Sequence, residues 1–479
     1  MAHHPAKTIP PRLSMWQRVR EYAVPPSMIE TATARRAVGD WAGACAAARI
    51  DVDLDLRAVR DRHGTDLVHR LRADLRRLAP DLLRWHMPRI APDGRLRPGL
   101  TLSLARYRGH GAPAAQLVVR TPPAWADAGQ RMSLALWDGS GGGDARHHPH
   151  PHPDRRFRLD LHRHLWDSSR SSELALRCGT PGAPPGARPD RPTGHDGPWA
   201  VDRWAAEAEL LLRAEGLPRG AFAVRLGARS RAVLELVAPD DSHAPACRAL
   251  PGPRSPRGVA ALPVLPEAAA RVLPDLELLR AGLVTPERLH PLVATSLAAR
   301  PGATAGPAPD PGTLGSEPAD PHRVECRGEV HRIALRDGVL TAVDHDPAQL
   351  RREGLLVALG GPPLPCLRAI DAVHRDPQAL PAVRERLRHG DVTGALDVVE
   401  GLLGPGAVLR DGPLRDALES AALRRVDHGL FRSGLVSARP APAGRDAQPG
   451  RRPRIDRRTP PAVRRKRENR ARPRTGLTV

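Results

Sequence analysis

The chain has 479 residues, and its 74 lysines and arginines against 53 aspartates and glutamates give a net charge of +21. A chain of this length is expected to fold as two or more domains. Lysine occurs only at Lys7 and Lys466 while arginine, alanine, glycine and proline abound, which is typical of a GC-rich gene. The basic charge therefore excludes little by itself. Fourteen basic and three acidic residues lie in the segment 439–474 alone.

The cysteines and the N-terminus bear on the compartment. The five cysteines, Cys45, Cys178, Cys247, Cys326 and Cys366, are odd in number, far apart and without a C-x-x-C pair. No disulfide framework or zinc module is predicted from them, and a reducing cytoplasm is expected. The N-terminus lacks the apolar region of a signal peptide, and no run approaches the roughly 18 apolar residues of a membrane span.

Residues 16–238 are predicted to form the principal α+β domain, after a flexible N-terminus at 1–15. All eight tryptophans lie in this part, between Trp16 and Trp204, and supply large apolar anchors. Asp40 can cap a helix, and residues 50–56 alternate as a strand does. Leucines at helical spacing follow, and Pro80 breaks that pattern.

From residue 99 onward the apolar residues alternate with polar ones, which predicts strands. The predicted strands are 99–107, 115–120, 131–137 and 156–162, followed by 221–227 and 231–237. Short connections favour an antiparallel meander for the first four. A helix is predicted over 201–216 between the two groups. Helices followed by a run of strands and a further helix indicate an α+β fold.

The second half of the chain divides by composition. The predicted segments are a linker at 239–263, short helices at 264–300, a linker at 301–322, a β-hairpin with helices at 323–387, a repeat pair at 388–435 and a disordered tail at 436–479. Both linkers are rich in proline, glycine and alanine. The hairpin is predicted from Asp337-Gly338 between two alternating runs. The tail is rich in arginine and proline and poor in large apolar residues.

Histidines crowd one stretch of the first domain and raise the possibility of a metal site. The candidates are His147, His148, His150, His152, Asp160, His162 and His164. Imidazoles and a carboxylate can ligate zinc, and the last three would share one face of a strand. The alternating prolines instead favour an exposed extended loop, and the spacing matches no closed zinc site. A His-rich metal-binding protein stays an alternative function.

Other motifs lack the residues that their chemistry needs. The aspartates of residues 51–55 could begin a calcium loop, but Leu56 and Arg62 stand where it needs Gly and Glu. The glycine-rich stretch 139–148 lacks the Lys-Ser/Thr of a P-loop, and no nucleophile lies in a recognisable elbow. The sequence therefore predicts a non-enzymatic protein without a cofactor. It names no catalytic, cofactor-binding or metal-ligating residue.

The most specific pattern lies in residues 388–435. An apolar stripe, a glycine stop and a helix restart follow one another at Val398, Val399, Leu402, Leu403, Gly406, Pro413 and Leu414. This spacing resembles the second half of an ankyrin repeat and the opening of the next, with residues 413–434 as nearly one unit. Gly412 and Arg415 replace the usual Thr and His, and 28 residues stand in place of a period of about 33. An ordinary helical hairpin is the alternative.

A wider resemblance extends this interpretation. The segments "GDWAGACAAARIDVDLDL", "LAPDLLRWHMPR" and "RTPPAWADAGQRMSLALWD" resemble the N-terminal region of actinobacterial proteins that end in ankyrin repeats. The resemblance implies a protein–protein interaction protein whose C-terminal repeats contact an unidentified partner. The alternative is a nucleic-acid-binding protein that uses its Arg-rich tail, although no aromatic residue is interleaved there for base stacking.

Overall fold

The structure is a computed structural model. The described residues are 9–108, 114–139, 148, 150–179, 198–217, 219–227, 230–237, 244–250, 255–298, 323–326, 328–336, 339–375, 380–403, 409 and 411–435. The predicted linker at 301–322 and the predicted tail at 436–479 lie outside these residues. The fold is α+β, as the sequence predicts. Among the described helices, none combines the length and the apolar character needed to cross a membrane.

Six helices of the first domain pack around one large apolar core. They are α1 (Pro11–Tyr22), α2 (Pro26–Ala37), α3 (Trp41–Ala47), α4 (Leu56–His63), α5 (Thr65–Arg77) and α6 (Pro80–His86). The flexibility predicted for residues 1–15 is wrong from Pro11 onward, because Met15 is buried on α1. Asp40 caps α3 as predicted, and its Oδ1 accepts a hydrogen bond from the Gly43 amide at 2.8 Å. Pro80 begins α6 and so separates it from α5.

The main sheet has four strands in the order β1-β6-β5-β4. Its strands are β1 (Ile50–Asp53), β4 (Thr101–Tyr107), β5 (Ala115–Arg120) and β6 (Met132–Trp137), while β2 (Arg89–Ile90) and β3 (Arg95–Leu96) form a separate small ribbon. The last three strands of the main sheet are antiparallel as predicted, and β1 adds in parallel to β6. β1 ends earlier than predicted because Asp55 caps α4, where it accepts hydrogen bonds from two backbone amides.

The strand predicted at 156–162 is wrong. This segment is a succession of tight turns with a single bridge between Ser103 and Arg158. Arg156 and Arg158 each pair with an aspartate two residues away, Asp154 and Asp160 respectively. Such short-range pairs curl the chain and compete with the extended conformation that the alternating sequence favours.

A second sheet and several short helices complete this half of the molecule. The elements are α7 (Leu174–Cys178), α8 (Trp204–Ala214), β7 (Gly220–Arg225), β8 (Arg231–Val237), β9 (Ala246–Ala249), α9 (Pro256–Ala261), α10 (Glu267–Ala270), α11 (Pro274–Arg280) and α12 (Pro291–Ala298). The segment 239–263 is therefore not a plain linker, because β9 pairs with β8 and α9 follows. Leu276 and Val293, from the predicted short helices, are buried in the core of the first domain.

The C-terminal module contains a three-stranded antiparallel sheet and five helices. They are β10 (Arg323–Cys326), β11 (Glu329–Arg336), β12 (Val339–Ala342), α13 (Pro347–Ala358), α14 (Pro365–Arg375), α15 (Leu380–Arg388), α16 (Val392–Leu403) and α17 (Pro413–Arg432). The predicted hairpin is confirmed as β11 and β12. The second repeat unit is not a helix pair, because α17 continues without a break for 20 residues. Its sequence has no proline after Pro413 and no glycine before Gly429, so nothing ends the helix halfway.

Candidate metal centre

Three side chains with metal-ligating atoms converge in the C-terminal module. One ligand atom from each of Cys326, His345 and Cys366 lies within 4.8 Å of the others. In a tetrahedral zinc site, with Zn–S bonds of about 2.3 Å, two sulfur ligands lie roughly 3.8 Å apart. The three side chains therefore need to close by no more than about 1 Å to hold a zinc ion.

Each ligand comes from a different element, and local bonds fix its position. Cys326 is the last residue of β10, where it is paired with Glu329 of β11. Cys366 is the second residue of α14. His345 lies in the turn between β12 and α13. The preceding Asp344 holds that turn by accepting hydrogen bonds from the backbone amide of Arg332, at 2.7 Å, and from its guanidinium.

The imidazole of His345 is the strongest indication of a ligand. The residue is 9% exposed, and its Nε2 is buried without a hydrogen-bond partner among the described residues. A buried polar atom normally has a partner, so an unpartnered one needs an explanation. A metal ion bonded to Nε2 would supply it. The ring of His331 stacks on that of His345 at 4.1 Å between centroids, which holds the imidazole plane in place.

The surroundings of the two thiols fit a structural metal site. Cys326 and Cys366 are fully buried in a small apolar cluster with Ala342 and Leu364. Burial, together with the neighbouring Cys326 thiol, raises the pKa of the Cys366 thiol to about 11. The Cys366 thiol therefore keeps its proton at neutral pH unless a cation replaces it. Soft sulfur ligands with an imidazole select zinc over magnesium or calcium.

Two other chemistries are open to these residues. A disulfide between Cys326 and Cys366 would need the sulfurs to approach to about 2.05 Å, and it would leave the His345 nitrogen unpartnered. Three protein ligands with one open position are also the arrangement of catalytic zinc sites. The small apolar cluster around the thiols instead suits a structural ion, because a small core gains most from a metal staple.

The histidines that the sequence singled out do not converge in this way. Among the described residues, they form no comparable group of three ligand atoms. His147 lies outside the described residues. His148 contacts the Thr121 carbonyl, and His152 packs edge-on against Trp137. Asp160 pairs with Arg158. His162 and His164 lie side by side, near Glu207 and Cys178 respectively. The solvent-exposed loop expected for the first part is wrong at His148, which is 6% exposed.

The apolar stripe of the ankyrin-like segment is largely internal. Val399 and Leu414 are buried in one cluster with Ile370 and Val383, and Val398 packs against that cluster. The side chains of Leu402 and Leu403, and Gly406 as a whole, lie outside the described residues. The stripe thus serves the core of the C-terminal module.

Comparison with known proteins adds no relative. No family model, no curated protein and no solved structure matches the chain. The case for the metal centre therefore depends on the geometry of its three ligands.

This site could hardly be predicted from the sequence. Eighteen residues separate Cys326 from His345, and twenty separate His345 from Cys366. Zinc modules are recognised by close pairs of ligands, and none is present here. In the structure Cys326 ends β10 and Cys366 lies in the first turn of α14, and the sequence predicts no element boundary at either residue.

Proposed function

We propose that the protein is a non-enzymatic protein–protein interaction protein whose C-terminal module is ordered by zinc bound to Cys326, His345 and Cys366. The surface that binds the partner is α13. The observation that carries this proposal is the exposure of four apolar residues within five positions at the end of α13, namely Leu355, Leu356, Val357 and Leu359. We place the protein in the cytoplasm, because thiols that bind zinc need a reducing compartment.

The helix α13 exposes apolar residues to an unusual degree. No residue of α13 is buried. Leu355 is 67% exposed, Leu356 47%, Val357 37% and Leu359, just beyond the helix, 86%. A contiguous exposed apolar patch on a soluble protein commonly marks a contact surface. The exposed Arg351 adds a positive charge one turn before this patch, so an apolar partner surface with an acidic rim would be complementary.

The ligands of the candidate metal centre flank α13 along the chain, with His345 before the helix and Cys366 after it. His345 directly precedes Asp346, whose side chain caps the helix by accepting a hydrogen bond from the Ala348 amide at 3.1 Å. After the helix, the chain returns to the same cluster at Leu364 and Cys366. A zinc ion at the centre would therefore fix both approaches to the helix and pre-organise it for binding.

The helices that resemble ankyrin repeats contact the rest of this chain. His428 of α17 approaches the Ala126 carbonyl at 3.0 Å, and Phe431 packs edge-on against Trp125. Arg432 donates a hydrogen bond to Asp53 at 2.7 Å. Because this face of α17 packs against the first domain, it is a poorer candidate for an outside partner than α13.

The test is a binding assay on the full chain. A partner is first captured from cells that carry the gene, then purified and titrated against the wild type and against variants. Leu355→Glu combined with Leu359→Glu should abolish binding, and Cys326→Ser should weaken it. Leu176→Glu, at a residue 84% exposed on α7, is the matched control and should bind as the wild type does.

Two results would contradict the proposal. The first is a partner that binds the α13 variant as tightly as it binds the wild type. The second is steeply salt-dependent binding of nucleic acid that vanishes, with all other binding, when residues 436–479 are deleted. The second result would favour the nucleic-acid-binding alternative.

A further inference from the structure

The first domain contains a cavity of about 300 Å³, partly open to solvent, that the proposed interaction function does not use. The cavity lies between α1, the chain that follows α6, the turns at 156–159 and the helices α10 and α11. Its wall is mainly apolar and includes Trp16, Leu102, Phe157 and Leu273. A mostly apolar pocket with a few polar groups is the usual form of a small-molecule site.

Most of the charge in the wall is already neutralised. Five lining arginines form ion pairs with carboxylates: Arg12 with Glu277, Arg20 with Asp275, Arg156 with Asp154, Arg158 with Asp160 and Arg271 with Glu267. These pairs leave little charge to attract a polyanion such as a nucleotide. The ligand must therefore be recognised through a different lining residue.

Arg89 is that residue. It is 9% exposed, and no carboxylate lies within ion-pair distance of it among the described residues. Its Nη2 donates to the Arg84 carbonyl at 2.9 Å, its Nη1 reaches the Gly94 carbonyl only at 3.5 Å, and its Nε has no partner in the described part of the chain. A buried cation without a counter-charge is costly, so an anion bound here would be favoured.

Two neighbouring side chains would also stabilise a bound anion. Arg84 is fully buried, donates to the carbonyls of Ala23 and Ala48, and has an unpartnered Nη2 among the described atoms. His86 lines the cavity, and its Nε2 is buried without a described partner. Burial lowers the pKa of His86 to about 3, so the neutral ring can offer one N–H to a carboxylate.

We propose that this cavity binds a small apolar molecule that carries a single carboxylate, with the carboxylate on Arg89 and the apolar body against the wall. The volume sets the size of the ligand. The cavity is at the lower end of the roughly 300–1,000 Å³ range of small-molecule sites, so the ligand is small, and an eight-carbon fatty acid is a suitable probe.

The test uses octanoate as the probe and isothermal titration calorimetry on the full chain. The wild type should bind one octanoate, and octanamide, which has the same shape without the charge, should bind on the order of tenfold more weakly or worse. Arg89→Met should weaken octanoate binding by a similar factor. Ala268→Phe, which keeps Arg89 and fills the cavity, should abolish it. Arg57→Met, at an exposed arginine on α4, should leave it unchanged.

The proposal can be tested even if Arg89→Met fails to fold, because the octanamide comparison and the Ala268→Phe variant do not depend on Arg89→Met. No binding of octanoate to the wild type at millimolar concentration would overturn the proposal. Equal binding of octanoate and octanamide would also overturn it, since the charge would then be irrelevant. Undiminished binding to Ala268→Phe would show that the probe binds elsewhere, with the same consequence.

Discussion

Mild acid should destabilise this protein strongly, because the fold buries several histidines that resist protonation in the folded state. His148, His162, His164 and His389 are each less than 10% exposed. Burial lowers the pKa of His148 and of His162 to about 4. Burial, together with the nearby cationic Arg89, Arg84, Arg388 and Arg18, lowers that of His389 to about 2. The pKa of His164 falls in the same direction, chiefly through burial.

The sign and size of the effect follow from proton linkage. An unfolded histidine takes up its proton below about pH 6.5, whereas these folded ones stay neutral down to much lower pH. Their contribution to stability is therefore complete above pH 6.5 and is lost as the pH falls toward the folded pKa. At pH 5, which is about 1.5 units below the unfolded pKa, each histidine lowers the free energy of unfolding by about 2 kcal/mol, at about 1.4 kcal/mol per unit. The three histidines whose folded pKa is about 4 or lower, His148, His162 and His389, together remove about 6 kcal/mol from a typical total of about 5–15 kcal/mol.

Urea unfolding followed by circular dichroism at pH 7.5 and pH 5 measures this loss. His389→Leu removes one of the buried imidazoles, and both of its ring nitrogens lack a hydrogen-bond partner among the described residues, although Glu385 lies 3.7 Å from Nε2. That variant should lose about 2 kcal/mol less than the wild type between the two pH values. His69→Leu, at an exposed histidine, is the control and should match the wild type. Equal stability of the wild type at both pH values, or an unchanged loss in His389→Leu, would refute the reasoning.

Three further predictions concern single features. Asp275→Asn leaves the buried guanidinium of Arg20 without its counter-charge and should cost about 3–5 kcal/mol in urea unfolding, while a loss below about 1 kcal/mol would contradict the pairing. Gly390→Ala should lower the melting temperature and loosen the C-terminal module in limited proteolysis, because the added Cβ would lie 2.1 Å from a neighbouring backbone oxygen. Gly64→Ala has a similar positive φ but open space, so it should cost only about 1 kcal/mol, and equal effects would contradict the packing argument. Deletion of residues 436–479 should leave the melting temperature unchanged, since their composition buries little apolar surface, and a fall of several degrees would show that they pack.

Features set by neighbouring residues were predictable from the sequence. Alternation identified the three antiparallel strands from Thr101 to Trp137, and the Asp40 cap and the Pro80 break depend on one residue each. The segment 156–162 alternates as well, yet its arginines pair with aspartates two residues away and the chain turns. Alternation alone does not reveal which polar side chains will be drawn inward.

Features that depend on distant residues were missed. The parallel addition of β1 to β6 joins residues about 80 positions apart. The candidate metal ligands Cys326, His345 and Cys366 come together only after β10, β12 and α14 have packed. No local sequence pattern predicts such a convergence. The histidine-rich stretch at 147–164 was a candidate metal site only because its members are close in sequence.

The metal content of the purified full chain tests the central claim most directly. Mass spectrometry of protein purified under reducing conditions should give one zinc ion per chain, and cobalt substitution should show the absorption of thiolate ligands. The zinc should be lost in Cys326→Ser and in Cys366→Ser, and retained in Cys247→Ser, which alters a half-buried cysteine on β9. It should also be retained when His162 and His164 are both replaced by Ala. Absence of stoichiometric zinc, or its retention in Cys326→Ser, would contradict the account.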